Sequence, residues 1–508
     1  MSAPADRQIA EALGWLHARV PAGAHLHSDT RTLGAGDVFF AYAVDGADNR
    51  AHIARAFECG ASTVLYQPEG LAGSVDATRA LAVPSLNELA GEIASRWYGA
   101  PSSSMLAIAV TGTNGKTSCS QWIAAALSAL GKPCAVIGTL GSGMPGQLVH
   151  TGFTTPNAPQ LQRSLAQMVA AGARAVAMEV SSHALHQGRA SGTAFDIAVF
   201  TNLTQDHLDY HQTFDAYEAA KARLFDWPTL RAAVVNRDDA AGRRLIERTQ
   251  GRVRTIAYGI DDAAPAHGAG TLLLATHVRA TAAGTAFHLS SDWGEADVEV
   301  GTLGAFNVSN LLAVLGALLA ADVPLADALE QLAKLDPVNG RMQRLGGRPA
   351  NDEPLVVIDY AHTPDALEKT LAALRPIAQA RGGKLICLFG CGGDRDATKR
   401  PLMGAIAERM ADIVVVTSDN PRGESPRSII EQVFAGMADA GCARAIEDRA
   451  NAILQTVRAA AREDVVVLAG KGHEATQEIM GKKRVFSDQD HARLALAARV
   501  TYPRGGGE

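Results

Sequence analysis

Short apolar runs alternate with helical patterns along most of the chain. Each run has the length of one buried strand. Such runs stand at residues 105–110, 175–179, 197–201 and 232–236, and again at 354–359, 384–389, 412–417 and 464–469. Strands that alternate with helices indicate parallel, doubly wound sheets.

The same pattern divides the chain into three blocks. The first holds strand-like runs at 37–44 and 62–66, and the PSSS string at 101–104 has the composition of a linker. Residues 259–300, rich in Ala, Gly and Thr, predict a β-rich excursion in the second block. We therefore predict an α/β protein of three domains: a small N-terminal α/β domain (1–102), a central doubly wound domain (103–340) and a C-terminal domain (341–508).

Composition and charge narrow the functional classes. The chain has 508 residues, 47% hydrophobic and 20% charged, as in an ordinary globular protein. A net charge of −6 gives no general attraction to nucleic acid or to an anionic membrane. Residues 1–7 lack the apolar core of a signal peptide, and no apolar run reaches the length of a membrane span. The scattered cysteines predict free thiols in the cytoplasm: Cys59, Cys119, Cys134, Cys387, Cys391 and Cys442.

A glycine-rich loop joins a predicted strand to a predicted helix. The string TGTNGKT occupies residues 111–117, where Gly112 and Gly115 let the backbone wrap closely around phosphate oxygens. The helix N-terminus offers free N–H groups, Lys116 adds a positive charge, and the Thr117 hydroxyl can bind Mg²⁺. Because Val110 replaces the usual first glycine, a Gly/Thr-rich loop with a surface lysine is the alternative. The string predicts a nucleotide site on a P-loop-type sheet and leaves the reaction open.

Polar residues also follow two other strands of the second block. Glu179 ends one strand and His207 follows another, so both should face the phosphate loop and are candidate ligands of the Mg²⁺ that accompanies a nucleotide. Two alternatives stay open. His207 and His211 could share a helical face as zinc ligands, or Asp206 could cap a helix beside a buried, hydrogen-bonded His207. Lys221 lies on an amphipathic helix, where a lysine is usually solvated.

Six strings, in order along nearly the whole chain, resemble those of the Mur ligase family. They are TGTNGKT at 111–117, EVSSH at 179–183, TNLTQDHLDYH at 201–211, GAFNVSN at 304–310, GRM at 340–342 and DYAH at 359–362. The resemblance implies a UDP-sugar-binding domain, a central ATPase domain and a C-terminal Rossmann-like domain that receives an amino acid.

The resemblance also carries functional residues over to matching positions. Those for ATP are Gly112, Thr113, Asn114, Gly115, Lys116, Thr117, Ser118, Asn307, Arg341 and Asp359. Those for the UDP-muramyl-dipeptide are Thr30, residues 45–47, Thr154, Thr155, Ser181, Gln187 and Arg189, although residues 27–31 read HSDTR where the family has Asp-Ser-Arg. Those for Mg²⁺ are Thr117, Glu179, His207 and Lys221, the last as a carbamylated lysine that approaches a second Mg²⁺. Lys116, Lys221 and His207 form the expected catalytic set.

The string DNPR at 419–422 resembles the family's selector for meso-diaminopimelate. This amino acid differs from lysine by a second carboxylate, which the planar guanidinium of Arg422 can bind through two hydrogen bonds. Taken alone, the string is also an ordinary turn. With the GKGHE string at 470–474, the expected amino-acid set is Arg395, Asp419, Asn420, Pro421, Arg422, Gly470 and Glu474.

The resemblance implies an ATP-dependent amide ligation in peptidoglycan precursor synthesis. The D-glutamate γ-carboxylate of UDP-N-acetylmuramoyl-L-Ala-D-Glu would attack ATP to give an acyl phosphate, which the amine of meso-diaminopimelate would then attack, with His207 as a candidate base. Beyond these substrates and Mg²⁺ we expect no nucleic acid, no membrane insertion and a monomeric chain. The rival functions are a sister ligase (lysine-adding, D-Ala-D-Ala-adding or folylpolyglutamate synthase), a P-loop ATPase that forms no bond and a non-catalytic ATP-binding relative.

Overall fold

The computed structural model describes residues 3–21, 23–45, 47–260, 271–281, 284–347, 351–439, 441 and 443–500. Its strands form sheets of four, ten and six strands and two further two-stranded sheets. Helices cover the three large sheets, so the α/β prediction is confirmed. The strands predicted from apolar runs are present, with ends that shift by a residue or two.

The first sheet is small and parallel. Its segment contains α1 (Ala3–Arg19), β1 (Leu26–His27), β2 (Val38–Ala41), β3 (Ala43–Val44), β4 (Ala47–Asp48), α2 (Ile53–Glu58), β5 (Thr63–Tyr66), β6 (Ala80–Ala82) and α3 (Leu86–Trp97), with 3₁₀ helices at Thr30–Thr32 and Asn49–His52. Successive side chains of β2 alternate between faces: Phe40 packs against α1 and α3, and Phe39 against α2. The single strand predicted at 37–44 is broken, because β3 leaves the sheet to pair with β4.

The central sheet carries the phosphate loop. Its segment contains β7 (Leu106–Thr111), α4 (Lys116–Ala129), β8 (Cys134–Gly138), β9 (Gly141–Gly143), α5 (Ala158–Ala170), β10 (Ala175–Glu179), α6 (Ser182–His186), β11 (Ile197–Phe200), α7 (Leu208–His211), α8 (Phe214–Ala222), β12 (Ala232–Asn236), α9 (Ala240–Thr249), β13 (Arg254–Ile260), β14 (Thr271–Ala280), β15 (Thr285–Ser291), β16 (Gly294–Val300), α10 (Ala305–Ala320) and α11 (Leu325–Ala333), with a 3₁₀ helix at Arg223–Asp226.

The strand order of the central sheet is β16-β15-β14-β13-β12-β11-β7-β10-β8-β9. Ile108 and Val110 of β7 pack with α4, α10 and α11, whereas Ala107 and Ala109 pack with α5 and α9 on the other face. The sheet is therefore doubly wound. The predicted β-rich excursion is confirmed in its described part, and β14–β16 extend this same sheet.

The linker predicted at residues 101–104 is wrong as to structure. Pro101–Ser104 forms a 3₁₀ helix in which Pro101 and Ser102 are buried. The Ser102 hydroxyl accepts a hydrogen bond from the Ala194 N–H at 2.9 Å, which anchors this turn to the central segment. The composition of residues 101–104 correctly indicates a turn, but it does not show that the turn packs against the central segment.

The third large sheet lies near the C-terminus. Its segment contains β17 (Gln343–Gly346), β18 (Leu355–Asp359), α12 (Pro364–Arg381), β19 (Leu385–Phe389), α13 (Lys399–Met410), β20 (Ile413–Val416), α14 (Pro426–Phe434), β21 (Ala443–Ala445), α15 (Arg449–Ala459), β22 (Val465–Ala469), β23 (Thr476–Ile479), β24 (Lys482–Val485) and α16 (Asp488–Val500). The order β17-β18-β22-β19-β20-β21 is parallel except for β17. Helices α12, α13 and α14 cover one face, and α15 and α16 cover the other.

Two expectations from composition can be compared with the structure. The five described cysteines, Cys59, Cys119, Cys134, Cys387 and Cys391, carry free thiols, as predicted, and Cys442 lies outside the described residues. No helix in the described ranges combines the length and the apolar content that crossing a bilayer requires.

Candidate active site

A cavity of about 730 Å³ lies between the carboxyl ends of the central strands and the start of the C-terminal segment. This is where open α/β sheets bind ligands. It brings together many residues that the sequence predicted: Thr113, Asn114, Gly115, Lys116, Thr117, Ser118, Thr154, Glu179, Ser181, His207, Lys221, Asn307, Arg341 and Asp359. None of the described residues lining it belongs to the predicted amino-acid set.

The phosphate loop needs glycine at two positions. Gly112 has a φ of +147°, and a β-carbon there would lie 1.9 Å from Thr201 Oγ1. Gly115 caps α4 with a φ of +86°, and a β-carbon there would lie 2.3 Å from Asn310 Oδ1. Since neither position accepts a side chain, the loop is held tightly, with its N–H groups at the helix start. Val110, where the usual first glycine would stand, is a buried residue of β7.

Lys116 projects into the loop that precedes it. Its Nζ donates to Gly112 O at 2.9 Å and to Thr113 O at 2.8 Å. Burial lowers the pKa of Lys116 below its ordinary value, although the charges of Glu179 and Asp206 oppose that shift. Lys116 is half-buried and its Nζ is bonded to the loop, so the alternative of a free surface lysine is wrong.

Thr117 and Glu179 provide hard oxygen donors beside the loop. The Thr117 hydroxyl donates to Glu179 Oε2 at 3.0 Å, and Thr139 donates its N–H to Oε1 at 2.8 Å. No group of three or more His, Cys, Asp or Glu side chains that could hold a metal occurs in the described part of the chain. A few oxygen donors beside a phosphate loop fit Mg²⁺, which takes one or two carboxylates and completes its shell with phosphate and water.

Lys221 is buried, against the expectation for a lysine on an amphipathic helix. Its side chain is 2% exposed, its Nζ donates to Gly112 O at 2.8 Å, and it lies 4.5 Å from the centre of the Tyr217 ring. Burial and the charge of Lys116 lower the pKa of Lys221 far below its ordinary value. As a plain ammonium this group does not fit a metal site; a carbamate at the same place would.

His207 lies at the cavity but forms no zinc site with His211. Helix α7 begins only after His207, whose φ of +55° is left-handed, and His211 Nε2 instead lies 3.0 Å from the Ser182 hydroxyl. The other alternative is also wrong. Helix α7 has no side-chain cap, because Asp206 accepts only the N–H of His207 itself, at 2.9 Å, and the His207 side chain is 44% exposed. The surrounding protein lowers the pKa of His207 to about 4 by desolvation, so the ring is neutral at pH 7.

The residues predicted for the UDP-muramyl-dipeptide form a chain of contacts. Thr155 Oγ1 donates to Glu179 O at 2.9 Å and accepts from the Ser181 N–H at 3.1 Å. Arg189 donates to Gln187 Oε1 at 2.8 Å. A further set of bonds reaches the first segment: Gln187 Nε2 donates to the Tyr210 hydroxyl, which donates to Asp45 Oδ2. Thr154 Oγ1 lies 3.1 Å from Thr139 Oγ1.

A second cavity, of about 340 Å³, lies between the first and central segments. Leu26, Asp29 and Arg31 line it from one side and Phe153 and Arg163 from the other. The predicted Thr30 opens the adjacent 3₁₀ helix but is not among the lining residues described. Of the predicted positions 45–47, residue 46 lies outside the described residues.

The predicted amino-acid set converges at the carboxyl ends of β19, β20 and β22. Asn420 Nδ2 donates to Glu474 Oε2 at 2.7 Å, and Arg422 donates to Gly393 O at 2.8 Å. Arg395 is exposed beside Arg422, since a β-carbon on Gly392 would lie 2.9 Å from Arg422 Nη1 and 3.9 Å from Arg395 Cγ.

The DNPR loop is also a turn, because Pro421 O accepts the Glu424 N–H at 2.9 Å. Gly470 approaches this loop so closely that a β-carbon would lie 2.5 Å from Asp419 Oδ2. The DNPR loop is therefore both a turn and a part of the charged cluster.

Comparison with known proteins identifies the family. Residues 110–318 match the Mur ligase middle domain, and residues 340–472 match the Mur ligase, glutamate ligase domain. A Ralstonia nicotianae protein named UDP-N-acetylmuramoyl-L-alanyl-D-glutamate–2,6-diaminopimelate ligase is 60% identical over 504 residues, 98% of each chain. The chain belongs to the Mur ligase family. A Pseudomonas aeruginosa protein of the same name is 51% identical over 472 residues, 92% of this Mur ligase and 94% of its own length.

Solved structures agree with this membership. A structure of UDP-N-acetylmuramoyl-L-alanyl-D-glutamate–2,6-diaminopimelate ligase has a TM-score of 0.64 at 37% identity, covering 94% of this Mur ligase and 95% of its own chain. A UDP-N-acetylmuramoylalanyl-D-glutamyl-2,6-diaminopimelate–D-alanyl-D-alanyl ligase from Acinetobacter baumannii shares the fold, with a TM-score of 0.63 at 18% identity over 98% of each chain.

Sequence reasoning missed the residues that hold this Mur ligase's site in place. Tyr217 lies under Lys221, and its hydroxyl is 3.0 Å from Thr113 Oγ1; its position four residues before Lys221 was the available signal. Thr139 holds Glu179, and no pattern around it marks that role. Lys471 stands inside the GKGHE string, between two residues that were singled out.

We expect Gly112→Ala to weaken ATP binding about five- to 150-fold, because rearranging this backbone costs about 1–3 kcal/mol. Calorimetric titration of ATP measures the change. Gly14→Ala is the matched control, since nothing lies within 4 Å of a β-carbon there. Unchanged ATP affinity in a folded Gly112→Ala protein would contradict the assignment of the loop.

Proposed function

We propose that this Mur ligase joins meso-2,6-diaminopimelate to the D-glutamate of UDP-N-acetylmuramoyl-L-Ala-D-Glu in cytoplasmic peptidoglycan precursor synthesis. It is an ATP-dependent amide ligase that releases ADP and phosphate. The observation that carries the proposal is the cluster of Arg395, Arg422, Asn420 and Glu474 at the DNPR loop. Relatives that are 60% and 51% identical over 98% and 92% of the chain are named for this acceptor.

We propose that each of the three domains binds a different substrate. Residues 1–102 bind the uridine end, 103–340 bind ATP, and 341–508 receive the amino acid. Each large sheet lies within one of these ranges. The family matches at 110–318 and 340–472 support the second and third.

The first chemical step brings two anions together. The D-glutamate γ-carboxylate attacks the γ-phosphate of ATP, the bond to the β-phosphate oxygen breaks, and ADP leaves an acyl phosphate. Lys116 and the loop N–H groups stabilise the phosphate charge, and positioning supplies much of the acceleration. Thr117, Glu179 and His207 are the residues that would hold Mg²⁺, which supplies further charge neutralisation when bound.

Lys221 is proposed to act as a carbamate. As an ammonium it is buried next to Lys116 and bonds only to a carbonyl oxygen, with no described carboxylate in salt-bridge distance. After losing its proton, the amine adds CO₂ and releases a second proton, which leaves a carbamate anion in place of the positive charge; this anion would suit both the neighbouring Lys116 and a second Mg²⁺.

The second step uses the amino-acid cluster. Arg422 and Arg395 bind the distal carboxylate of diaminopimelate, and Glu474, Asn420 and Gly470 receive its distal ammonium. The other amine attacks the acyl carbon, the bond to phosphate oxygen breaks, and the amine loses a proton. His207 is neutral and close to the phosphate loop, but with a pKa of about 4 it is a weak base for this proton.

Contacts between the segments support a site that excludes water. Asn114 Nδ2 donates to Asp365 Oδ2 at 3.3 Å, and Arg341 donates to the Thr117 hydroxyl at 3.2 Å. The C-terminal segment thus touches the phosphate loop directly. Excluding water protects an acyl phosphate from hydrolysis.

Lys221→Ala should lower the ligation rate by about 100-fold, since the anion that supports the metal is lost. Formate or acetate should restore part of the rate by occupying the vacated space. Lys334→Ala, at a lysine that is 60% exposed, is the control and should retain full activity. Full activity of Lys221→Ala without any added carboxylate would exclude the carbamate role.

With equimolar meso-diaminopimelate and L-lysine, the wild-type product should contain diaminopimelate almost exclusively. Arg422→Ala should lower kcat/KM for diaminopimelate about ten- to a hundredfold, because a charged hydrogen bond contributes about 1.5–3 kcal/mol. Mass spectrometry of the product distinguishes the acceptors. Arg427→Ala, at an arginine that is 82% exposed on α14, is the matched control. A wild-type product that contains lysine would keep the family and reject the acceptor.

A further inference from the structure

Lys471 is a fully buried lysine in the GKGHE string, and the ligation steps above do not use it. Its side chain has no exposed surface. Its Nζ donates to Asn420 Oδ1 at 3.1 Å and to Glu474 Oε2 at 2.9 Å, and lies 3.8 Å from Asp419 Oδ1. All three partners belong to the proposed amino-acid site.

The lysine determines how the Asn420 amide is oriented. Asn420 Oδ1 accepts from Lys471 and from the Glu478 N–H at 3.0 Å. With its oxygen held by two donors, the amide must turn its nitrogen the other way, and Nδ2 donates to Glu474 Oε2. A flipped amide would place two donors against the Lys471 ammonium.

The same contacts leave one oxygen of Glu474 available. Oε2 accepts from both Asn420 and Lys471. In the described part of the chain no donor is bonded to Oε1, and the side chain is 29% exposed. A carboxylate oxygen that is accessible and unshared is a suitable acceptor for a ligand ammonium.

The charges beside Glu474 are arranged to favour a cation at its exposed side. The Lys471 ammonium lies on the buried side of the carboxylate, where it also contacts Asn420 and Asp419. Burial raises the pKa of Asp419, and the neighbouring Arg449 and Asp488 form a fully buried pair at 2.6 Å and neutralise each other. The partly exposed Glu474 carboxylate is therefore the negative group of this cluster that a ligand ammonium can reach.

The β23–β24 hairpin stabilises this arrangement from the side. Gln477 Nε2 donates to Asp419 O at 2.8 Å, and the Arg422 N–H donates to Glu478 O at 3.0 Å. The Met480 N–H donates to Arg422 O at 2.6 Å. The DNPR loop is thereby fixed between the hairpin and the Lys471 ammonium.

We propose that Lys471 is a positioning residue for the distal ammonium of the acceptor, holding Asn420 and Glu474 so that Glu474 Oε1 receives it. The proposal rests on the proposed function. It assigns discrimination for the distal amine to Lys471, whereas discrimination for the distal carboxylate belongs to Arg422 and Arg395.

The test compares two acceptors in the full-length protein. One is meso-diaminopimelate; the other is (S)-2-aminopimelate, which keeps the reacting end and the distal carboxylate but has hydrogen in place of the distal amine. For Lys471→Met, kcat/KM for diaminopimelate should fall about ten- to a hundredfold, while kcat/KM for aminopimelate changes less than about threefold. The KM values for ATP and UDP-muramyl-dipeptide should stay unchanged.

Glu474→Gln should show the same selective loss, and the double variant should lose little more than either single variant, because Lys471 acts through Glu474. If Lys471→Met does not fold, Lys471→Gln replaces it. This variant removes the charge, and its side chain is one atom shorter than that of lysine, so it does not hold Asn420 and Glu474 as the lysine does and the selective loss is expected again.

Three outcomes are distinguishable. Equal losses with both acceptors would overturn the positioning role, since they would indicate general damage to the site. A wild-type protein that uses both acceptors equally well would also overturn it, while leaving the ligase function intact. A wild-type protein that ligates neither acceptor would instead reject the proposed function.

Discussion

Two lysine amines, Lys221 buried and Lys116 half-buried, converge on a single carbonyl oxygen, and the rest of the active site depends on how their positive charge is used. Lys116 and Lys221 both donate to Gly112 O, at 2.9 and 2.8 Å. Two like charges in a poorly solvated site repel strongly, so their proximity is favourable only when anions are close by. A triphosphate supplies such anions, and a carbamate on Lys221 would remove the repulsion directly. The two lysine side chains are positioned by the groups around them, which are the loop glycines, the Tyr217 ring and the Glu179 carboxylate.

The amino-acid site also presents charged side chains to charged ligand groups, but here both positive and negative side chains are present. Arg422 of the DNPR loop and Arg395 both lie next to Gly392, and the Glu474 carboxylate lies beside the buried Lys471. The backbone also links the two sites, because the Gly470 N–H donates to Asp359 O at 3.1 Å, and Asp359 lines the central cavity. The amino-acid cluster and the nucleotide cavity therefore meet at the neighbouring ends of β18 and β22.

Local features could be predicted from the sequence where the residues that determine them are close together along the chain. The strand, loop and helix around Lys116 follow from adjacent residues, and so does the alternation of strands and helices. What depends on distant packing was not predictable. The prediction that Lys221 is solvated was wrong. Periodicity shows which face of a helix is apolar, but it does not show that α8 packs over the phosphate loop. The buried turn at Pro101–Ser104 was missed for the same reason. Lys471 acquires its surroundings from residues about 50 positions earlier, at Asp419 and Asn420.

The coupling of phosphate release to the acceptor tests the central claim most directly. Phosphate released from ATP is measured with UDP-N-acetylmuramoyl-L-Ala-D-Glu present, after adding meso-diaminopimelate, L-lysine or no acceptor. A ligase with this amino-acid site should release phosphate only with diaminopimelate, with L-lysine nearly inert. Release that is independent of both the acceptor and the muramyl peptide would contradict the claim and leave only a P-loop ATPase.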